Sequence, residues 1–342
     1  MPLPSFRENS IDLNGKAVLV TGGTGSFGKC FVRTVLARYK PSRLIVFSRD
    51  ELKQYEMAQA FPGEDSRALR FFIGDVREQD RLEMAMRGVD YVIHAAALKH
   101  VPTAEYNPFE CIKTNIMGAE NVVQAAIRAG VEKVLALSTD KAASPVNLYG
   151  ASKLASDKIF VAANNLSGAD GTRFAAVRYG NVIGSRGSFI PLLEKLVAEG
   201  APAIPITDER MTRFWITLQQ GVDFVLSSMA MMSGGEIFVP KIPSMKIVDL
   251  AECLAPGVPH RVTGIRPGEK LHELMVSRDD ARATVELDDR YVIEPSFAFF
   301  PRENRAEGVA KSVAEDFKYA SDTNTQWLNA GDFKKLLADT DR

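Results

Sequence analysis

Six short apolar runs, each separated from the next by a segment long enough for a helix, leave this chain few ways to fold. They are AVLV at 17–20, LIVF at 44–47, RFFIG at 70–74, YVIHAAA at 91–97, KVLALS at 133–138 and RFAAVRY at 173–179. Apolar runs of this length fit strands buried on both faces. Between them, GKCFVRTVLARYK at 28–40 and IMGAENVVQAAIRAG at 116–130 carry apolar residues three and four apart, the spacing of crossover helices. The alternation implies a doubly wound α/β fold with a parallel sheet, right-handed crossovers and a ligand crevice beyond the C-terminal strand ends.

Past residue 180 the rhythm breaks, and Gly184, Gly187, Pro191, Pro202 and Pro205 punctuate irregular segments. The expected organisation is a nucleotide-binding domain over 1–180 and a smaller mixed α/β substrate domain over 181–213 and 241–342, the latter including a C-terminal tail. RFWITLQQGVDFVLSSMAMM at 213–232 reads as a strand end and a helix, and EIFVP at 236–240 as another strand, so 214–240 is expected to rejoin the first sheet.

A chain of 342 residues, 46% hydrophobic and 25% charged, can bury a large core. Its net charge of -1 supplies no long-range field for nucleic acid or an anionic membrane. Cys30, Cys111 and Cys253 are scattered and odd in number, which argues against a disulfide framework and a structural metal site. No export signal is read at MPLPSFRENS, and no stretch reaches the roughly 18 to 20 apolar residues of a membrane span. A cytoplasmic protein is expected.

TGGTGSFG at 21–28 follows the first strand and opens a helix. Glycines there allow a tight turn, close approach of a pyrophosphate and packing of the helix on the sheet, while helix N-terminal amides bind phosphate. Gly22, Thr24, Gly25, Ser26, Phe27 and Gly28 are therefore candidate cofactor contacts on a Rossmann dinucleotide fold. At the end of the second strand, Ser48, Arg49 and Lys53 favour the 2'-phosphate of NADP, whereas Asp50 could instead bind the ribose diol of NAD. Asp75 and Val76 stand where the adenine edge is expected, with a solvated turn as the bland reading of Asp75. Ala95, within the fourth run, is a candidate cofactor contact, and Lys99 at its end could reach cofactor or substrate; His94 and His100 read as packed or hydrogen-bonding residues.

The segment STDKAASPVNLYGASK at 138–153 gathers the chemistry. On a helix starting near Gly150, Tyr149 and Lys153 share a face. A phenolate base at neutral pH needs its pKa lowered by roughly 3 units, which a nearby ammonium can supply. Asp140 and Lys141 end the fifth strand, where a solvated loop pair is the competing reading.

Together, TGGTGSFG, HAAALKHV, STDK, Tyr-x-x-x-Lys and RYGNV resemble the extended short-chain dehydrogenase/reductase superfamily. SRDELKQ, GDVR, AEYNPFECIKTNIMGAENV, GSRGS, RMTRFWIT, EIFVPKIPSMKI and GIRPGEKLHE extend the resemblance to the inverting UDP-N-acetylglucosamine 4,6-dehydratases of pseudaminic acid biosynthesis, across about residues 14–330. That resemblance implies a lyase with tightly bound NADP acting on UDP-GlcNAc. It gives Tyr149 the C4 hydroxyl proton, with Lys153 lowering its pKa, and gives Thr139 a hydrogen bond to that hydroxyl. Asp140 becomes the acid at O6 and Lys141 the base at C5, where related retaining enzymes use an Asp-Glu pair. As a base Lys141 needs a lowered pKa, for which burial or the charges of Lys153 and Lys99 are possible causes. The product implied is UDP-2-acetamido-2,6-dideoxy-β-L-arabino-hex-4-ulose.

Substrate contacts are expected from Lys99, Asn181, Arg186, Thr207 and Arg266, since guanidinium forks suit phosphate. Arg213 and Glu269 could be structural. The superfamily implies a homo-oligomer, a dimer or a larger ring such as a hexamer. Two other functions stay open: a nucleotide-sugar 4-epimerase, which needs no acid or base at C5 and C6, and a non-catalytic NADP-binding regulator.

Overall fold

The structure, a computed structural model, describes residues 5–61, 67–185, 189–297 and 310–340. The first half runs β1 (Ala17–Thr21), α1 (Ser26–Arg38), β2 (Arg43–Ser48), α2 (Glu51–Gln59), β3 (Leu69–Ile73), α3 (Gln79–Met86), β4 (Tyr91–His94), α4 (Val101–Tyr106), α5 (Pro108–Ile112), α6 (Gly118–Ala129), β5 (Lys133–Leu137), α7 (Leu148–Ser167) and β6 (Arg173–Val177). The second runs β7 (Asn181–Ile183), α8 (Phe189–Ala198), β8 (Ile204–Ile206), β9 (Thr212–Thr217), α9 (Leu218–Met231), β10 (Ile237–Pro240), β11 (Ser244–Lys246), α10 (Ile247–Leu254), β12 (His260–Val262), β13 (Leu274–Val276), α11 (Arg278–Ala281), β14 (Thr284–Glu286), β15 (Arg290–Ile293), β16 (Lys311–Ser312), β17 (Tyr319–Ala320) and α12 (Ala330–Thr340).

Each of the six predicted strands is present, and all are parallel, in the order β3-β2-β1-β4-β5-β6. The order reverses between β1 and β4, so the two strand ends splay and open a crevice above them. Strands such as β1, buried at every position, have no solvent face to mark with polar residues, which is why they read as continuous apolar runs. Side chains fix the helix starts: Asp50 accepts the Lys53 N–H, Asn147 the Gly150 N–H, and Thr217 and Gln220 form a reciprocal cap on α9.

β10 continues the sheet parallel to β6, while β15, β14 and β16 extend it antiparallel, making ten strands. These last three come from the segment assigned to the substrate unit. β9, by contrast, sits between β7 and β11 in a separate three-stranded sheet. That small sheet borders a second apolar core in which Trp215 meets Phe333 edge-on, with ring centroids 5.8 Å apart, among Ile190, Met245 and Leu250. Among the described residues no helix is long and apolar enough to cross a membrane, and no group of ligating side chains could hold a metal ion.

Candidate active site

The C-terminal ends of β1, β2, β4 and β5 open into a cavity of about 770 Å³ that runs from the glycine-rich loop to the start of α7 and on to β7. At one end no side chain caps α1 at Gly25, so first-turn amides face a space suited to phosphate. Gly28 lets α1 reach the loop: a Cβ there would stand 2.3 Å from the Gly23 carbonyl oxygen. Ser26 and Phe27 line the same end. The residues present therefore fit a dinucleotide.

Thr21, the last residue of β1, ties that strand to the chain leaving β4. Its hydroxyl accepts the N–H groups of Ala95 and Ala96 at 3.1 and 3.2 Å and lies 2.9 Å from His94 Nδ1. The hydroxyl proton then goes to Nδ1, leaving the imidazole neutral with its proton on Nε2. Burial and the charge of Lys153 push His94 down to about 3, so it is a fully packed residue.

Around the adenosine end, Ser48, Arg49, Lys53, Asp75 and Val76 all line the cavity. The carboxylate of Asp50, which lines the same end, caps α2 and pairs with Lys53 Nζ at 2.5 Å. Burial opposes the charge of Asp75, but hydrogen bonds from Arg77 and the nearby Arg49, 3.5 Å away, hold its carboxyl below the usual range. Farther along, Ala95, Lys99 and Asn181 also face the cavity. Lys99 adjoins Leu98, whose backbone is clamped on both sides by the buried side chain of Asn115. Asn115 lies on a single π-helical turn over Lys113–Met117 and donates to Ser152 on α7 at 2.9 Å. No sequence reading singled it out.

Thr139, Lys141, Tyr149 and Lys153 share one stretch of wall. α7 packs tightly over the turn that carries the first two, because Gly150 leaves room where a Cβ would stand 2.3 Å from the Lys141 carbonyl oxygen. Asp140 lies directly behind the wall and is fully buried. Its Oδ1 accepts from the Thr139 hydroxyl at 2.9 Å and from Lys141 Nζ at 3.0 Å, while Oδ2 has no partner. On its other side Lys141 Nζ is 3.4 Å from Glu273, whose Oε1 is also 3.4 Å from Arg213 Nε. A continuous polar chain therefore runs from the Thr139 hydroxyl through Asp140 and Lys141 to Glu273.

Two electrostatic expectations fail here. Burial would lower the Lys141 pKa, but Asp140 and Glu273 more than offset it and raise the value above that of a free lysine. Nearby lysines do not pull it down. For Tyr149, burial pushes the phenol up to about 12, and the charge that opposes burial is that of Lys141 rather than Lys153. Lys153, buried on α7, is itself lowered by burial, against the pull of Asp157. Asp140 is raised, chiefly by burial.

Of the proposed substrate contacts, Arg186 lies outside the described residues. Thr207 and Arg266 are not part of the cavity wall, and Arg266 is exposed, 3.7 Å from Glu269. The segment carrying them is nonetheless stitched to the catalytic turn: Asn147 donates to the Gly268 carbonyl at 2.7 Å and Lys270 to that of Ala143 at 2.5 Å. Arg213, 8% exposed, donates to the carbonyls of Thr212, Lys270 and Leu271. Glu273 was missed as an individual residue, although it closes the motif GIRPGEKLHE.

A family model described as polysaccharide biosynthesis protein matches residues 18–295. Over 333 residues the chain is 56% identical to a UDP-N-acetylglucosamine 4,6-dehydratase (inverting) of Campylobacter jejuni, covering 96% of this chain and 99% of the relative. It is 41% identical over 344 residues to a UDP-glucose 4-epimerase of Rickettsia akari, covering 95% and 96% respectively. Among solved structures it is similar to the dTDP-glucose 4,6-dehydratase DesIV of Streptomyces venezuelae, which has NAD bound. That match has a TM-score of 0.66 and 26% identity, covering 75% of this chain and 86% of the other.

Proposed function

Because this chain belongs to the polysaccharide biosynthesis family of extended short-chain dehydrogenases/reductases, we propose that it is an inverting UDP-N-acetylglucosamine 4,6-dehydratase. The observation that carries the proposal is Lys141 at the cavity wall, 3.0 Å from the buried carboxylate of Asp140. Elimination of water across C5 and C6 needs a base and an acid in addition to the group that handles the C4 hydroxyl. Transfer of one proton from Lys141 to Asp140 produces both, a neutral amine and a carboxylic acid. The amine takes the C5 proton, the acid protonates O6 as water leaves, and the pair returns to its starting charges. Burial of Asp140 favours its protonated form, while Asp140 and Glu273 hold the proton on Lys141 in the resting protein.

Tyr149 takes up the C4 hydroxyl proton. Burial holds its phenol above the value of a free tyrosine, and the charge of Lys141, which opposes that shift, would favour the ionised form that accepts the proton. Bound NADP would serve as hydride acceptor at C4 and hydride donor at C6, so no external reductant would be consumed. Arg49 and Lys53 would hold its 2'-phosphate at the end of the cavity that both line. Lys153 would hold the nicotinamide ribose. Delivery of the C5 proton to the opposite face, from an ammonium or water, gives the inverted 4-keto-6-deoxy sugar, the first intermediate of pseudaminic acid biosynthesis. Cytoplasmic assembly as a homo-oligomer completes the reading; the exposed Tyr106 and Phe109 on α4 and α5 are suited to self-association.

The relatedness to a 4-epimerase makes that activity the second reading. Incubation with UDP-GlcNAc in heavy water separates the two. We expect a 4-keto-6-deoxy product with deuterium at C5 and inverted C5 configuration by NMR, and loss of that deuterium in Lys141→Ala with cofactor retained. UDP-GalNAc as sole product would overturn the proposal, and undiminished C5 exchange in the variant would overturn the role of Lys141.

A further inference from the structure

We propose that Glu273 is a positioning residue that sets the protonation state of Lys141, delivered from the second unit to the catalytic turn. The inference rests on the reading of Lys141 as the C5 base. Glu273 is 2% exposed, and an ionised carboxylate that deep requires compensation. Its Oε1 lies 3.4 Å from both Lys141 and Arg213, and its Oε2 has no partner. Its backbone is fixed by a pair of hydrogen bonds with Ser321, each 2.8 Å, so the carboxylate is presented on a rigid support.

The charges around Lys141 come from four places. Asp140 adjoins it on its own turn, Tyr149 faces it from α7, Arg213 from β9, and Lys270 and Glu273 from the segment before β13. Asp140 and Glu273 stabilise the ammonium, and Arg213 opposes it. Asp140 alone would leave Lys141 as one member of a simple pair beside an unbalanced guanidinium. With Glu273 present, two carboxylates face Lys141, Arg213 and Lys270, and the ammonium persists until a proton is passed inward to Asp140. Glu273 thereby keeps the proton that the elimination uses from escaping to solvent.

The sign of each substitution follows. Glu273→Gln keeps the shape and removes one negative charge, so the Lys141 pKa falls; Arg213→Gln removes the opposing cation, so it rises. The measurement is the pH dependence of acylation of the Lys141 amine in the full-length chain, read by peptide mass spectrometry, together with the pH profile of turnover. Glu273→Gln is expected to move the Lys141 curve, and the alkaline limb of turnover, to lower pH by about one unit, tenfold in the ionisation constant. Arg213→Gln is expected to move both the other way, and Glu273→Asp to restore part of the wild-type profile. An unchanged Lys141 curve in soluble Glu273→Gln overturns the proposal, even if turnover is lost. Should that variant fail to fold, the Arg213→Gln curve decides, and a curve that does not rise overturns it. Failure of the C5 reading would instead appear as absent deuterium exchange in the wild-type protein, with the acylation curves still interpretable.

Discussion

His94 shows how one side chain ties the cavity to acid stability. Its ring is buried against Phe160, and its Nδ1 accepts from Thr21, so protonation would force a charge into the sheet and break the link to Ala95 and Ala96. The folded value of about 3 lies below the ordinary 6.5, a lowered pKa, so the stabilising contribution is complete above 6.5 and is lost as pH falls toward 3. The full shift corresponds to on the order of 5 kcal/mol. Thermal denaturation of wild type and His94→Gln across that window should show a shallower acid decline in the variant. Equal slopes would place the acid sensitivity elsewhere.

The same residue-scale logic explains which parts of the site were legible. Tyr149 and Lys153 follow from helical spacing, and Asp140 and Lys141 from their place at a strand end. Glu273 cannot be found that way, because its link to Lys141 exists only after a distant segment folds over the turn. The pKa directions were illegible for a related reason. Sequence shows that Lys141 has cationic neighbours, but not that two carboxylates stand closer.

At the scale of elements, the glycine-rich loop and α1 act as one unit. Alanine at Gly28 would place its Cβ among the backbone atoms of Gly23, so α1 must move away from the loop that would hold the pyrophosphate. Gly28→Ala is expected to weaken dinucleotide binding tenfold or more, about 1.4 kcal/mol, by equilibrium dialysis. Affinity equal to wild type would mean that the helix can shift without disturbing the phosphate end. The parallel strands were readable because burial on both faces makes them uniformly apolar. β14, β15 and β16 were not, since they are two to four residues long and lie in the segment expected to form the separate mixed α/β unit. The run 91–97 was read too long: its last three residues leave β4 to line the cavity.

The ten-stranded sheet is the largest of four among the described residues, with a second apolar core apart from its own, and Arg178 ties α7 to the β13–α11 stretch packed against the first core. Although 1% exposed, it reaches Asp157 on α7 at 3.2 Å, Asp280 on α11 at 3.5 Å and the Met275 carbonyl at 2.8 Å. Removing one partner from so buried a set typically costs about 3–5 kcal/mol, because the remaining charge is stranded. The dinucleotide end of the cavity, by contrast, is built almost entirely from the first 100 residues and their local turns.

That contrast has a consequence in time. The contacts that fasten the catalytic turn, Asn147 to Gly268 and Lys270 to Ala143, span 121 and 127 residues of chain, so they close only after long loops have been ordered. The nucleotide crevice can form earlier from nearer neighbours. During refolding, pulsed amide exchange should protect β1 and β4 before the turn at 138–143, and simultaneous protection would contradict this order. A newly made chain would then acquire its grip on the cofactor first and its proton chemistry last.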